Sequence, residues 1–199
     1  MIKGFWHIYM VNNWEAIFNE QLQILIKSGL YKECAEINIG CIGNNMNRRK
    51  LAMTMINKYS KIKIKAYSKN PKEYEFTTLR LIEADNSKYI GFYFHLKGVS
   101  RPKDTMQKKE RRYLNETMLN QWRTPYKLLT DGYDIVSSNY LTIPRRFTGN
   151  FFWFHRSLIN KLPRLKDMDL TDRYVAEYWI HMACTNSLQM LNKYSKKYL

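Results

Sequence analysis

The chain has 199 residues, is 45% hydrophobic with 15 Tyr, 9 Phe and 5 Trp, and carries a formal charge of +16 at pH 7. This composition argues against a disordered tail and predicts one domain with a real hydrophobic core. No apolar run reaches the roughly 20 residues of a membrane-spanning helix, and the three cysteines form no Cys-x-x-Cys pair, which argues against a disulfide framework or structural zinc and for a reducing compartment.

The first two-thirds of the chain alternate strand and helix. Residues 5–11 are an aromatic and β-branched run ending at Asn12-Asn13, which predicts a first strand. The apolar start of the chain has no small-residue cleavage site and is not expected to be a signal peptide. A helix follows, with Ile17, Phe18, Leu22, Leu25 and Ile26 on one face and Gly29 closing it. Residues 36–42 predict a second strand, ending at Gly43-Asn44-Asn45, before a helical face of Leu51, Ala52, Met55, Ile56 and Tyr59. Residues 61–67 alternate Lys with apolar positions, as in a strand with one solvated face. Asn70-Pro71 starts a helix presenting Tyr74, Thr78, Leu81 and Ile82, and residues 88–94 read as a buried central strand.

The last third is less regular. The pattern predicts a helix over 105–122, a turn at Asp131-Gly132-Tyr133, a short strand at 135–136 and an apolar run over 151–154. Residues 157–162 read as helix up to Pro163, and a final helix is expected over 172–194. The expected fold is therefore α/β, a single domain with a mostly parallel sheet flanked by helices. In such sheets ligands gather beyond the carboxyl ends of the strands. There this sequence places Asn12, Asn13, Gly43, Asn44, Ser68, His95, Lys97 and Gly98, which are expected to line one crevice.

The positive charge favours polyanionic partners: nucleic acid, an anionic lipid surface or a phosphorylated substrate. A Lys- and Asn-rich composition from an AT-biased genome accounts for it equally well. The densest run, from Arg101 to Arg112, is either a solvated helix start or a phosphate contact. His95-Leu96-Lys97-Gly98, a cation and free N–H groups at a strand end, suits a diphosphate or is a simple solvated turn. Gly149 and Asn150 precede Phe151-Phe152-Trp153, and Asn150 has donors and acceptors for sugar hydroxyls. The three aromatics do not fit on one face of a strand, so at least one is expected to wall the cleft. Glu177 sits among apolar residues, where a carboxylate has a partner or the raised pKa of a general base. Asp172 fits a helix N-cap. P-loop, dinucleotide-binding and nucleophile-elbow motifs are absent from the sequence.

Several segments, in this order, resemble small glycosyltransferases of the GT-A fold from bacterial surface-polysaccharide clusters and large DNA viruses. They are Tyr74-Glu75 with Thr78-Leu79, Tyr93-Phe94-His95-Leu96-Lys97-Gly98-Val99, Trp122-Arg123, Phe147-Thr148-Gly149-Asn150-Phe151-Phe152-Trp153, and Arg173 with Ala176-Glu177-Tyr178-Trp179-Ile180. The resemblance implies a GT-A-like, Rossmann-like domain over 1–199, with a nucleotide-binding half (1–100) and an acceptor and catalytic half (101–199). It also implies sugar transfer from a nucleotide diphosphate-sugar to a glycan or lipid-linked acceptor, in the cytoplasm or at the inner membrane face with peripheral contact to anionic lipid.

By the same resemblance, Asn12, Asn13, Gly43, Asn44, His95, Lys97 and Gly98 would hold the nucleotide-sugar. Arg145, Arg146, Gly149, Asn150 and Trp153 would serve the acceptor or diphosphate, and Glu177, with Asp172 second, would be the catalytic base. Family members usually hold a divalent metal, manganese or magnesium, on an Asp-x-Asp motif, but His95-Leu96-Lys97 stands in its place. Either other residues bind a metal, with Asp85 and Asp131 as candidates, or basic side chains neutralise the leaving group. Two rivals to this reading are a basic nucleic-acid-binding module and a catalytically inactive sugar-binding relative.

Overall fold

Alternating side chains on the first four strands feed two separate cores, one on each face of a single sheet. The computed structural model describes residues 1–138, 140–142, 145–147, 149–183 and 188–190, with only the backbone for 140–142, 145–147 and 188–190. In chain order, β1 (Ile2–Tyr9), α1 (Trp14–Lys27), a one-turn α2 (Leu30–Glu33), β2 (Cys34–Ile42), α3 (Met46–Ile56), β3 (Ile62–Ser68), α4 (Phe76–Ala84) and β4 (Ile90–His95) make the regular part. They are followed by α5 (Thr105–Leu114), α6 (Arg123–Thr130), β5 (Ile135–Ser137), the ribbon β6 (Tyr140–Thr142) and β7 (Arg145–Phe147), β8 (Phe152–His155), α7 (Arg156–Ile159), α8 (Val175–Tyr178) and β9 (Leu188–Met190).

The main sheet has the order β3-β2-β1-β4-β8-β5-β9. β1 to β4 are mutually parallel, while β8 runs antiparallel between β4 and β5. The expected single-domain α/β architecture, a mostly parallel sheet flanked by helices, is the one the chain adopts.

Strand alternation sends Trp6, Phe92 and Phe94 to one face, where Trp6 stacks on Phe18 of α1 at 4.5 Å and on Phe94 at 4.8 Å. The other face takes Phe5 and Tyr93, packed with Phe76, Leu79 and Ile82 of α4 and with Trp179 and Ile180. Helix α4 lies close to the sheet because position 40 is glycine. A Cβ there would meet the Thr78 hydroxyl at 2.2 Å and its Cα at 2.9 Å.

Four expectations need correction. All of Phe151, Phe152 and Trp153 are fully buried, so none walls a cleft. β8 lies inside the sheet with both faces covered, so its alternating side chains enter opposite cores. The helix expected over 105–122 is interrupted: α5 stops at Leu114 and a π-helical turn spans Asn115–Asn120 before α6. There the side chain of Asn115 turns inward to bond Gln21 and Glu20. Within the described residues, the helix expected over 172–194 is instead the single turn α8 and a 3₁₀ turn (Trp179–His181), and Leu188–Met190 is strand β9, paired in parallel with β5; residues 184–187 and 191–194 lie outside the described residues. Trp179 is anchored by its indole N–H on the Pro163 carbonyl at 3.0 Å, and Ile180 is fully buried, which fixes this segment by packing rather than by helical propensity. Finally, the helix expected from Pro71 begins later, because Tyr74 adopts φ +44 and breaks it after one 3₁₀ turn.

Candidate functional site

A cleft of about 430 Å³ opens at the carboxyl ends of β1, β2 and β4. Its lining includes His7 and Tyr9 of β1, Ile42 of β2, the run from His95 at the end of β4 to Arg101, Lys72, Tyr74 and Glu75 before α4, and Arg173 and Glu177 beside α8. That volume falls within the roughly 300–1,000 Å³ of small-molecule sites.

The floor is a buried polar network. His7 and His95 are opposite one another across the β1–β4 ladder. Glu75, at the N-terminus of α4, directs one carboxylate oxygen, Oε2, into the protein. It accepts there from the Tyr93 hydroxyl at 2.6 Å and from the Asn150 amide. Asn150 also donates to the Ala176 carbonyl at 3.3 Å, which ties the cleft floor to α8. His7 Nδ1 is 2.9 Å from the Thr78 hydroxyl, and Thr78 in turn donates to the Gly40 carbonyl at 3.3 Å. His95 Nε2 donates to the Gly149 carbonyl at 2.7 Å.

Charge states follow from these partners. Burial pushes the Glu75 carboxyl up, but the positive charge His95 and His7 carry when protonated, together with the Tyr93 and Asn150 donors, outweighs it and puts its pKa below the usual carboxylate value. Burial lowers His7 to about 4 against the attraction of Glu75, and it lowers His95 as well. At pH 7 the floor therefore holds one carboxylate and two neutral imidazoles. Tyr93 is raised well above 10 by burial and by the adjacent carboxylate, so it stays a hydrogen-bond donor.

A second network fixes the turn after β4. Gln21 of α1 donates to the His95 carbonyl at 2.9 Å and accepts from the Trp6 indole at 3.1 Å. Arg111 of α5 donates to the Lys97 carbonyl at 3.1 Å while both its Nε and an Nη meet the Glu20 carboxylate. A bidentate guanidinium of this kind holds geometry as well as charge. Gly98 follows at φ +82, where a side chain would be strained, and lets the turn close. Among the described non-glycine residues, Asn12, Tyr74 and Asn150 have positive φ. Two belong to this site, and the third donates to the carbonyl of cleft residue Val99 at 2.9 Å. Strained backbone collected around a cleft is the usual mark of a functional region.

The structure brings His95, Lys97, Gly98 and Glu177 to the cleft and leaves other expected residues off it. Lys97 is already paired with Glu110 at 3.2 Å. Asn13 and Asn44 are exposed near the strand ends, and Gly43 uses its N–H on the Ser68 carbonyl, but none of the three lines the cleft. Asn12 and Gly149 support it from behind through their bonds to Val99 and His95. Asp172 is exposed and caps the Tyr174 N–H at 2.9 Å. Trp153 lies in the core, its indole on the Met118 carbonyl at 2.8 Å. Arg145 and Arg146 lie on β7, and their side chains are outside the described residues.

Glu75, His7 and Thr78 were not expected as site residues. Glu75 and Thr78 belong to one of the segments that carry the family resemblance but were given no role there, and His7 showed only as a polar residue interrupting an otherwise apolar strand. Among the described residues no three His, Cys, Asp or Glu side chains are placed to hold a metal ion. Asp85 pairs with Lys3 and Asp131 with Lys127, so neither metal candidate is at the cleft.

Comparison with known proteins adds a family and a fold. The chain belongs to the family described as a domain of unknown function (DUF8361), whose model matches residues 5–187. No curated protein matches it. Among solved structures, 4-diphosphocytidyl-2C-methyl-D-erythritol synthase from Anaerococcus prevotii DSM 20548 is similar, with a TM-score of 0.55 and 10% identity over 96% of this chain and 88% of that one. At that identity the likeness describes the fold, a Rossmann-like α/β domain.

Proposed function

We propose that the chain is a transferase acting on a nucleotide diphosphate-sugar, passing the sugar to an acceptor hydroxyl of a glycan or lipid-linked substrate. One observation carries this reading. The His95–Gly98 turn and the Arg173–Glu177 segment, far apart in sequence, line the same cleft at the carboxyl ends of the strands, where α/β folds bind nucleotides. Lys72, Lys97, Arg101 and Arg173 supply positive charge along that cleft, so an anionic diphosphate is matched to its rim. Lys97 would exchange Glu110 for the diphosphate, neutralising charge as the leaving group departs.

Glu177 would take the proton from the acceptor hydroxyl, a role worth about 10²- to 10⁴-fold in rate. The acceptor oxygen then bonds to the anomeric carbon as the bond from that carbon to the diphosphate breaks, releasing a nucleoside diphosphate. Among the described residues, no group of three His, Cys, Asp or Glu side chains could hold a metal ion. Among the described residues no helix is long and apolar enough to cross a membrane. A cytoplasmic location with peripheral contact to anionic lipid belongs to the same proposal and rests on the chain's charge of +16.

A second reading is favoured by the Anaerococcus prevotii structure, whose name carries a diphosphocytidyl group and whose fold spans 96% of this chain. In that case the reaction is nucleotidyl transfer: a phosphate oxygen of the acceptor bonds to the α-phosphorus of a nucleoside triphosphate as the bond to the β-phosphate breaks, releasing pyrophosphate. Incubation with UDP-, GDP- and dTDP-sugars, with and without manganese, and in parallel with nucleoside triphosphates plus a sugar phosphate, separates the two by the substrate consumed and the product released. Release of nucleoside diphosphate, abolished in Glu177→Gln, is expected. Full activity in that variant removes Glu177 from the base role.

A further inference from the structure

Three side chains of the cleft floor, His7, Glu75 and His95, present acceptors to the cleft, which follows from where each proton is committed. The carbonyl of Gly149 only accepts, so the His95 proton is on Nε2 and its Nδ1 carries a lone pair. The Thr78 hydroxyl has one proton, which points at the Gly40 carbonyl. It therefore accepts from His7 Nδ1–H, which leaves His7 Nε2 as a lone pair. Glu75 spends Oε2 on Tyr93 and Asn150, and its Oε1 has no hydrogen-bond partner among the described residues. All three side chains line the cleft.

The cleft is thus divided by polarity, with cations along the rim and a half-buried carboxylate and two imidazole lone pairs below. Phosphate suits the rim and is repelled by the floor. Hydroxyl groups, which can donate, suit the floor. We propose that His7, Glu75 and His95 form the subsite for the hydroxyl face of a neutral sugar, and that sugars bearing a carboxylate, such as uronic acids, are excluded by Glu75. This rests on the nucleotide-sugar reading and specifies its substrate class.

Glu75→Gln is the informative variant. Tyr93 and Asn150 both donate, so they keep the amide oxygen turned inward and place the NH₂ group in the cleft. One acceptor becomes a donor without loss of shape. Titration calorimetry on the full chain would compare UDP, GDP and dTDP, each alone, as its neutral hexose conjugate and as its uronate conjugate.

The wild type should bind one neutral conjugate at least about 10-fold more tightly than the matching uronate, as expected for a hydrogen bond to a charged group. Glu75→Gln should lose about 10-fold or more in hexose-conjugate affinity, keep its affinity for the nucleoside diphosphate alone, and narrow the gap to the uronate. Equal hexose-conjugate binding by both proteins overturns the subsite while nucleotide binding stands. Equal wild-type affinity for hexose and uronate conjugates overturns it too, and needs no variant to fold. Failure of the wild type to bind any nucleotide or conjugate overturns the nucleotide reading and the subsite with it.

Discussion

Replacing Tyr93 with phenylalanine deletes one oxygen and tests whether Glu75 is held ionised by its partners. In the wild type the hydroxyl lies 2.6 Å from Glu75 Oε2, inside a region where Tyr93 is 1% exposed. A hydrogen bond to a charged group contributes about 1.5–3 kcal/mol, and its loss leaves the carboxylate with one donor fewer in a site that water reaches poorly. Tyr93→Phe should therefore lower stability at pH 7 by about 2 kcal/mol, read from urea unfolding.

The same free energy has a second readout. Tyr93 favours the ionised form, so its removal should raise the Glu75 pKa towards the ordinary carboxylate value. Carboxyl-carbon NMR of both proteins measures that directly. A stability loss under about 0.5 kcal/mol, with Glu75 titrating unchanged, would show that the hydroxyl is not what holds the charge, and the ionised floor would lose its physical basis.

Three further outcomes are expected. Gly40→Ala places a methyl group against Thr78 backbone and hydroxyl, and should cost about 1–3 kcal/mol in urea unfolding; a neutral result would mean that α4 shifts freely. His7 and His181 are both buried and lowered to about 4. Each contributes stability that is complete above the unfolded value near 6.5 and is lost as pH falls towards 4, about 3 kcal/mol each at the limit. Denaturation midpoints should fall across that window, less so in His7→Gln, and a flat profile would contradict neutral burial. Glu75, held low, adds its own loss only at more acidic pH. Lys97→Ala removes a partly buried ion pair with Glu110. It should cost about 1 kcal/mol of stability while weakening nucleoside diphosphate binding about 10-fold by calorimetry; unchanged affinity removes Lys97 from the diphosphate site.

The strand–helix alternation from β1 to β4 could be read in the chain because local apolar periodicity decides it. Ile17, Phe18, Leu22 and Leu25 lie on one face of a helix whatever that helix packs against. Placing His95, Lys97 and Gly98 at a ligand cleft needed only the end of an apolar strand. Beyond β4 the reading loosened, because Trp153 and its neighbours are buried on both faces of an inserted antiparallel strand. Short segments such as α8 and the turn at Trp179 are fixed by anchors like the Pro163 carbonyl rather than by period.

The sequence alone determined that this is an α/β protein with its cleft where successive parallel strands end, since period and turn residues are local properties. Only the tertiary structure decided what the cleft contains. Glu75 meets Tyr93 and Asn150 across long stretches of chain, and Gly40 matters only because Thr78 packs on it. The protonation of His7 and His95 is set by the Thr78 hydroxyl and the Gly149 carbonyl, partners that folding alone brings within reach.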